Sequence, residues 1–125
     1  MSLNTRITVR LPAKLEIDFL QRVITDGYGM KGKSKWVYES IKHFMSLEDF
    51  EDFVEYASDA DDKEKSIDTK MQSLYFDTNF IKSIHDAVIR VRRKYPHLEG
   101  VRSLIIRSSI IQRLFRVKSE YVNAG

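Results

Sequence analysis

The sequence predicts a mainly α-helical fold with a short antiparallel two-stranded β-ribbon, built from two strand–helix–helix units in one chain. Three observations carry that prediction. A period-two run opens the chain, helical apolar stripes follow it, and the same plan returns after an acidic stretch. The 125 residues suffice for one ordinary domain, or for two small modules sharing a core. A hydrophobic fraction of 42% beside 31% charged residues belongs to a folded globular chain, not a disordered one.

The opening run is Thr5-Arg6-Ile7-Thr8-Val9-Arg10-Leu11, bounded by Pro12. Ile7, Val9 and Leu11 share one face while Arg6, Thr8 and Arg10 share the other, the signature of a half-buried strand rich in β-branched residues. Pro12 suits the first turn of a helix, where its missing N–H is not needed. Leu15, Phe19 or Leu20, and Val23 or Ile24 then recur at helical spacing. Asp26-Gly27-Tyr28-Gly29 ends that helix. Ser34 is placed to cap a second one, with Val37, Ile41, Phe44 and Met45 on its buried face.

The second copy begins with an extended run from Met71 to Phe76, followed by Asp77, Thr78 or Asn79 as a cap. Phe80 or Ile81, Ile84, Val88 and Val91 form the next helical stripe, and Arg90, Arg92, Arg93 and Lys94 suit the negative end of its dipole. The stretch from Tyr95 to Gly100 breaks this helix, and Ser103 opens a last one carrying Ile106, Ile110 and Leu114. The predicted organisation is a first unit over residues 4–45, a connector over 46–68, a second unit over 69–118 and a tail over 119–125.

Net charge is +3, but it is strongly partitioned. Between Ser46 and Asp68 ten acids face only Lys63 and Lys65, a net −8 that leaves +11 for the rest. Basic blocks of that size attract phosphate polyanions or acidic surfaces. Within the connector, Leu47, Phe50, Val54 and Ala57 make a short apolar stripe. Ser46 and Asp49 there resemble a capping box, which predicts a helix to about Ala57 and a polar, flexible stretch from Ser58 to Ser66. The acidic segment reads most simply as a solvated linker, and alternatively as a shield against nonspecific DNA contact or a docking point for a protein partner.

A seven-residue strand with two helices cannot enclose a core alone, and its lone strand must pair with another. That plan resembles the ribbon-helix-helix family, the Arc/MetJ/CopG-like bacterial DNA binders. The resemblance is carried by Arg6 to Leu15 with Gly32-Lys33-Ser34-Lys35-Trp36-Val37, and by Leu74 to Phe80 with Gly100 to Arg107. Having both copies in one chain is similar to TraY-like conjugation proteins, in which the pair forms within a single polypeptide.

The resemblance implies sequence-specific binding of double-stranded DNA, with the ribbon in the major groove. The base-facing residues it implies are Arg6, Thr8 and Arg10 in the first strand and, matching Phe76 to Leu11, Met71, Ser73 and Tyr75 in the second. Lys33, Ser34 and Lys35, with Arg102 and Ser103, would hold the DNA backbone at the starts of the second helices. Gln72 falls where Ile7 is buried, and the second outward set lacks a cation, so a cationic half and a nearly neutral half are expected. The implied role is a transcriptional repressor or a plasmid or conjugation accessory factor in the cytoplasm, associated with the nucleoid. Several copies side by side on DNA would fit that role. An antitoxin-like interaction module of the same fold is the alternative.

Other chemistries have weaker support. Gly27-Tyr28-Gly29-Met30-Lys31-Gly32-Lys33-Ser34 satisfies the Walker A string of nucleotide-binding loops, but an amphipathic helix, not a strand, precedes it. There are no cysteines, which excludes disulfides and thiolate sites. His43, His85 and His97 form no helical pair, so neither a metal nor another cofactor is expected. No nucleophile–base–orienter set stands out, and the sequence does not point to an enzyme. Apolar runs fall far short of the ~20 residues that span a bilayer, so no membrane partner is expected.

Overall fold

The computed structural model describes the backbone over residues 4–63 and 68–124, and side chains over 4–58 and 68–115. Strands β1 (Asn4–Pro12) and β2 (Thr69–Asp77) pair antiparallel along their whole length, with Thr8 opposite Ser73 at the centre. They form a sheet of two strands, each running slightly beyond the alternating sequence pattern. Burial alternates identically along both strands. Ile7, Val9 and Leu11 point inward from β1, and Gln72, Leu74 and Phe76 from β2.

Helix α1 (Ala13–Thr25) follows β1 directly, with Pro12 at the N-cap (φ −53°, ψ 141°) and not inside the first turn. The Ala13 N–H donates to the Asp68 carbonyl at 3.0 Å, tying the start of α1 to the residue before β2. Of the two apolar registers open to α1, the structure buries Phe19 and Val23 and leaves Ile24 exposed. A single 3-10 turn (Met30–Gly32) leads into α2 (Lys33–Ser46), which buries Trp36, Val37, Ser40, Ile41 and Phe44. Later, α4 (Thr78–Lys94) opens at Asp77, whose Oδ1 accepts the Asn79 N–H at 2.7 Å, as the sequence led us to expect.

Helix α5 (Val101–Ala124) is the centre of the molecule and packs against α1, α2, α3, α4 and β1. A single apolar stripe was expected, but Leu104, Ile105 and Ile106 are all buried, as are Ser108, Ser109 and Ile110. A helix contacted on most sides buries consecutive residues. It also begins earlier than expected. Val101 is its first residue, and the Leu104 N–H bonds back to the Gly100 carbonyl, so Ser103 lies inside the first turn and is not the cap. The helix continues to Ala124, so its backbone extends through residues 119–124.

Arg113 fastens α5 to α2. Its guanidinium lies 4.4 Å from the Trp36 ring and donates to the Trp36 carbonyl at 2.8 Å, with Glu39 at 3.6 Å. A planar, weakly hydrated cation is suited to such a half-aromatic, half-polar niche.

The connector departs most from expectation. Ser46 ends α2, its hydroxyl donating to the His43 carbonyl, so it caps no following helix. The next helix, α3, spans Phe50–Lys63 and runs past Ala57 into the stretch expected to be flexible. Residues 64–67 of that stretch, and the side chains of Asp59, Asp61, Asp62 and Glu64, lie outside the described residues. The start of α3 is docked, not solvated. Phe50 and Val54 are buried, and the Phe44 ring meets Phe50 at 5.7 Å and Phe53 at 5.5 Å. Glu51 faces Arg90 at 3.5 Å, while Asp52 takes Lys94 at 2.8 Å and the Tyr95 hydroxyl. The acids of the first turn therefore clamp the basic end of α4.

That clamp has a definite pH dependence. Lys94, and then the Tyr95 hydroxyl, hold the Asp52 carboxyl below the usual carboxylate range. Asp52 in turn raises Lys94 and Tyr95 above theirs. A lowered acid stabilises above its unfolded value and loses that as pH falls through the folded one. The two raised groups stabilise below their unfolded values and lose it as pH rises through the folded ones. The clamp should hold from roughly pH 5 to 9 and weaken outside that range. Tyrosine absorbance should show Tyr95 ionising above a free phenol and returning toward one in Asp52→Asn; a midpoint at or below the free value would contradict the clamp. Phe50→Ala should cost about 3–5 kcal/mol in urea unfolding, the loss typical of a buried aromatic, whereas an undocked connector would lose almost nothing.

Candidate nucleic-acid interface

The ribbon has a second face, turned away from the core. Alternation puts Arg6, Thr8 and Arg10 on it from β1, and Met71, Ser73 and Tyr75 from β2. Arg6, Arg10, Met71 and Tyr75 are exposed, and Thr8 and Ser73 are half-buried between them. The six expected base-facing residues are thus together on one open surface. Cross-strand pairing sets Arg6 opposite Tyr75, Thr8 opposite Ser73 and Arg10 opposite Met71.

The outer face divides by strand as expected: its arginines, Arg6 and Arg10, both come from β1, whereas Met71, Ser73 and Tyr75 of β2 are uncharged. Antiparallel pairing places Arg6 at one end of the ribbon and Arg10 at the other, each across from an uncharged partner.

Gln72 is 8% exposed on the inner face, opposite Val9. Its amide is satisfied on both sides: Lys33 Nζ donates to Oε1 at 2.7 Å, and Nε2 donates to Glu16 Oε2. A buried amide is tolerable when both its ends are bonded in this way. The cost falls on one expected role, since Lys33 reaches inward to Gln72. Ser34 is also committed. The cap of α2 is Gly32, without a side-chain bond, and Ser34 Oγ accepts the outward Tyr75 N–H at 3.0 Å. Lys35 alone of this group is exposed.

The start of α5 is more open. A cavity of about 520 Å³ lies between it and the ribbon, lined by Thr8, Arg10, Met71, Glu99, Ser103 and Arg107 among others. Arg102 is exposed nearby in the sequence. Arg107, which the sequence reading missed, donates to the Arg10 carbonyl at 3.3 Å. Its signal was available, because it follows Ser103 by four residues and so shares that side of the helix. Glu99 in the same cavity opposes an anion there.

The Walker-like string does not form a phosphate loop. A phosphate loop joins a strand of a parallel sheet to a helix, whereas this one joins α1 to α2 beside a two-stranded antiparallel sheet. Local packing accounts for its glycines. Gly27 and Gly29 take φ of 84° and 69°, and a Cβ on Gly32 would lie 2.9 Å from that of Tyr28. Among the described residues no group of three or more His, Cys, Asp or Glu is disposed to hold a metal, and no helix is long and apolar enough to cross a membrane.

No family model, curated protein or solved structure matches the chain.

The Lys33–Gln72–Glu16 network gives a clear expectation. Lys33→Met should destabilise by about 1–3 kcal/mol, because it leaves a buried amide oxygen unpaired. Adding Gln72→Leu should recover part of that loss in urea melts, since the unpaired amide is then gone and only the half-buried Glu16 loses its partner. Equal losses in the single and double variants would show that the network is not what Lys33 supplies.

Proposed function

We propose that this chain is a tandem ribbon-helix-helix protein, its two halves forming a pseudo-dimer, that binds double-stranded DNA by laying the β1–β2 ribbon in the major groove. The observation that carries the reading is the open outer face of the ribbon, with its two arginines, two central hydroxyls and two large apolar side chains. Two strands about 4.8 Å apart fit a groove about 12 Å wide. Arginine grips guanine O6 and N7 with two hydrogen bonds, and hydroxyls accept or donate to several bases.

Several further features support the pseudo-dimer. Strand–helix–helix order occurs on either side of α3, both strands have one burial pattern, and their central pair is Thr8 with Ser73. Lys35 and Arg102, exposed near the starts of α2 and α5, supply cations for the DNA backbone, and Ser103 and Arg107 line the cavity beside the ribbon. In this reading Lys33 and Ser34 act indirectly, by holding β2 in place. A repressor, or an accessory factor on a mobile element, is the role that such binding would serve, next to DNA in the cytoplasm.

Arg6→Ala with Arg10→Ala tests the reading. Both side chains are exposed, so urea stability should stay within about 0.5 kcal/mol. Retention of a random-sequence duplex library should collapse. Wild-type binding should also weaken steeply with added salt, since phosphate contacts release counterions. Undiminished retention by the double variant would instead favour an interaction module whose ribbon does not touch DNA.

A further inference from the structure

The register of the ribbon says more than that a duplex is bound; it constrains which one. We infer that the chain selects a non-palindromic duplex with two guanines about four base-pair steps apart, one for Arg6 and one for Arg10, each beside an A·T pair. The inference rests on the DNA-binding reading and deepens it.

Arg6 and Arg10 are the two cations on the outer face, four residues apart on the same strand. At about 3.4 Å per residue their Cα atoms stand about 13 Å apart. The rise of B-DNA is about 3.4 Å per base pair, so that span corresponds to about four steps. Between them Thr8 and Ser73 face each other. Short hydroxyls bond to any base, so the middle of the site is read loosely.

The cross-strand partners set what lies beside each guanine. Tyr75, 52% exposed, is opposite Arg6, and Met71, 54% exposed, is opposite Arg10. An apolar surface in the major groove discriminates by meeting the thymine C5-methyl group, which cytosine lacks. Each arginine therefore reads guanine while its neighbour favours thymine. The two ends are not equivalent. A flat phenol stands at one, on backbone held by Ser34, and a flexible thioether at the other, beside Ser103 and Arg107. Both arginines also lie on β1, so the ribbon's two-fold through Thr8 and Ser73 does not carry one guanine contact onto the other, and the site is not its own inverted repeat.

The test is selection of the full-length wild-type chain on a random-sequence duplex library. The enriched duplexes should contain two guanines about four steps apart with adjacent A·T pairs. In the best of them, 7-deazaguanine at either guanine should raise Kd about fivefold or more, since a good bidentate contact is worth about 1–3 kcal/mol. Arg6→Ala should relax the requirement for one guanine only, and Arg10→Ala for the other. Deoxyuridine in place of thymine should weaken binding severalfold at each end, and Met71→Ala should abolish that effect at one end alone. An enriched motif without the guanine pair, a palindromic one, or indifference to 7-deazaguanine would overturn this inference while leaving DNA binding intact. Failure of wild-type protein to retain any duplex would overturn the DNA-binding reading and this inference with it.

Discussion

The fold depends on a single ladder of hydrogen bonds. Among the described residues β1 and β2 pair only with each other, so neither can be lost without exposing the backbone of the other. Their alternation serves two surfaces at once. Every second residue closes the core over α5, and every other one is left outside. A one-residue slip of β2 would put Leu74 and Phe76 in water, and one of β1 would turn its arginines against the core. The same registration that closes the core therefore determines which side chains face outward.

The two strands present different inner faces to the core. β1 contributes only apolar residues inward, whereas β2 contributes Gln72. The groups that meet it, Glu16 and Lys33, come from α1 and α2, the two helices that follow β1 in the chain. A strand carrying an apolar residue in place of Gln72 would leave Glu16 and Lys33 without this partner.

Much of this was legible in the sequence, and what was not has physical causes. Period-two spacing made both strands readable, and the outward set followed from it directly. Charge obscured α3. Ten acids dominate the composition of the connector, yet Phe50, Phe53 and Val54 decide where it goes. Ser34 and Ser103 have the chemistry of caps, but each helix begins one or two residues earlier, after Gly32 and Gly100. Lys33 looks like a surface cation until the buried amide of β2 is placed beside it, a contact 39 residues away that no local pattern encodes. The division of charge between the strands was readable from their outward residues, whereas the partner across from each arginine, Tyr75 or Met71, follows only from the antiparallel register.

Both strands of the ribbon belong to one polypeptide. In an assembly of identical chains every substitution in such a ribbon appears twice, so a change that helps at one end is imposed on the other. Here a single codon alters a single point on the surface. Arg6 and Met71, or Arg10 and Tyr75, occupy corresponding stations yet are free to diverge. Mutation can therefore retune one end of the ribbon while the other stays as it is.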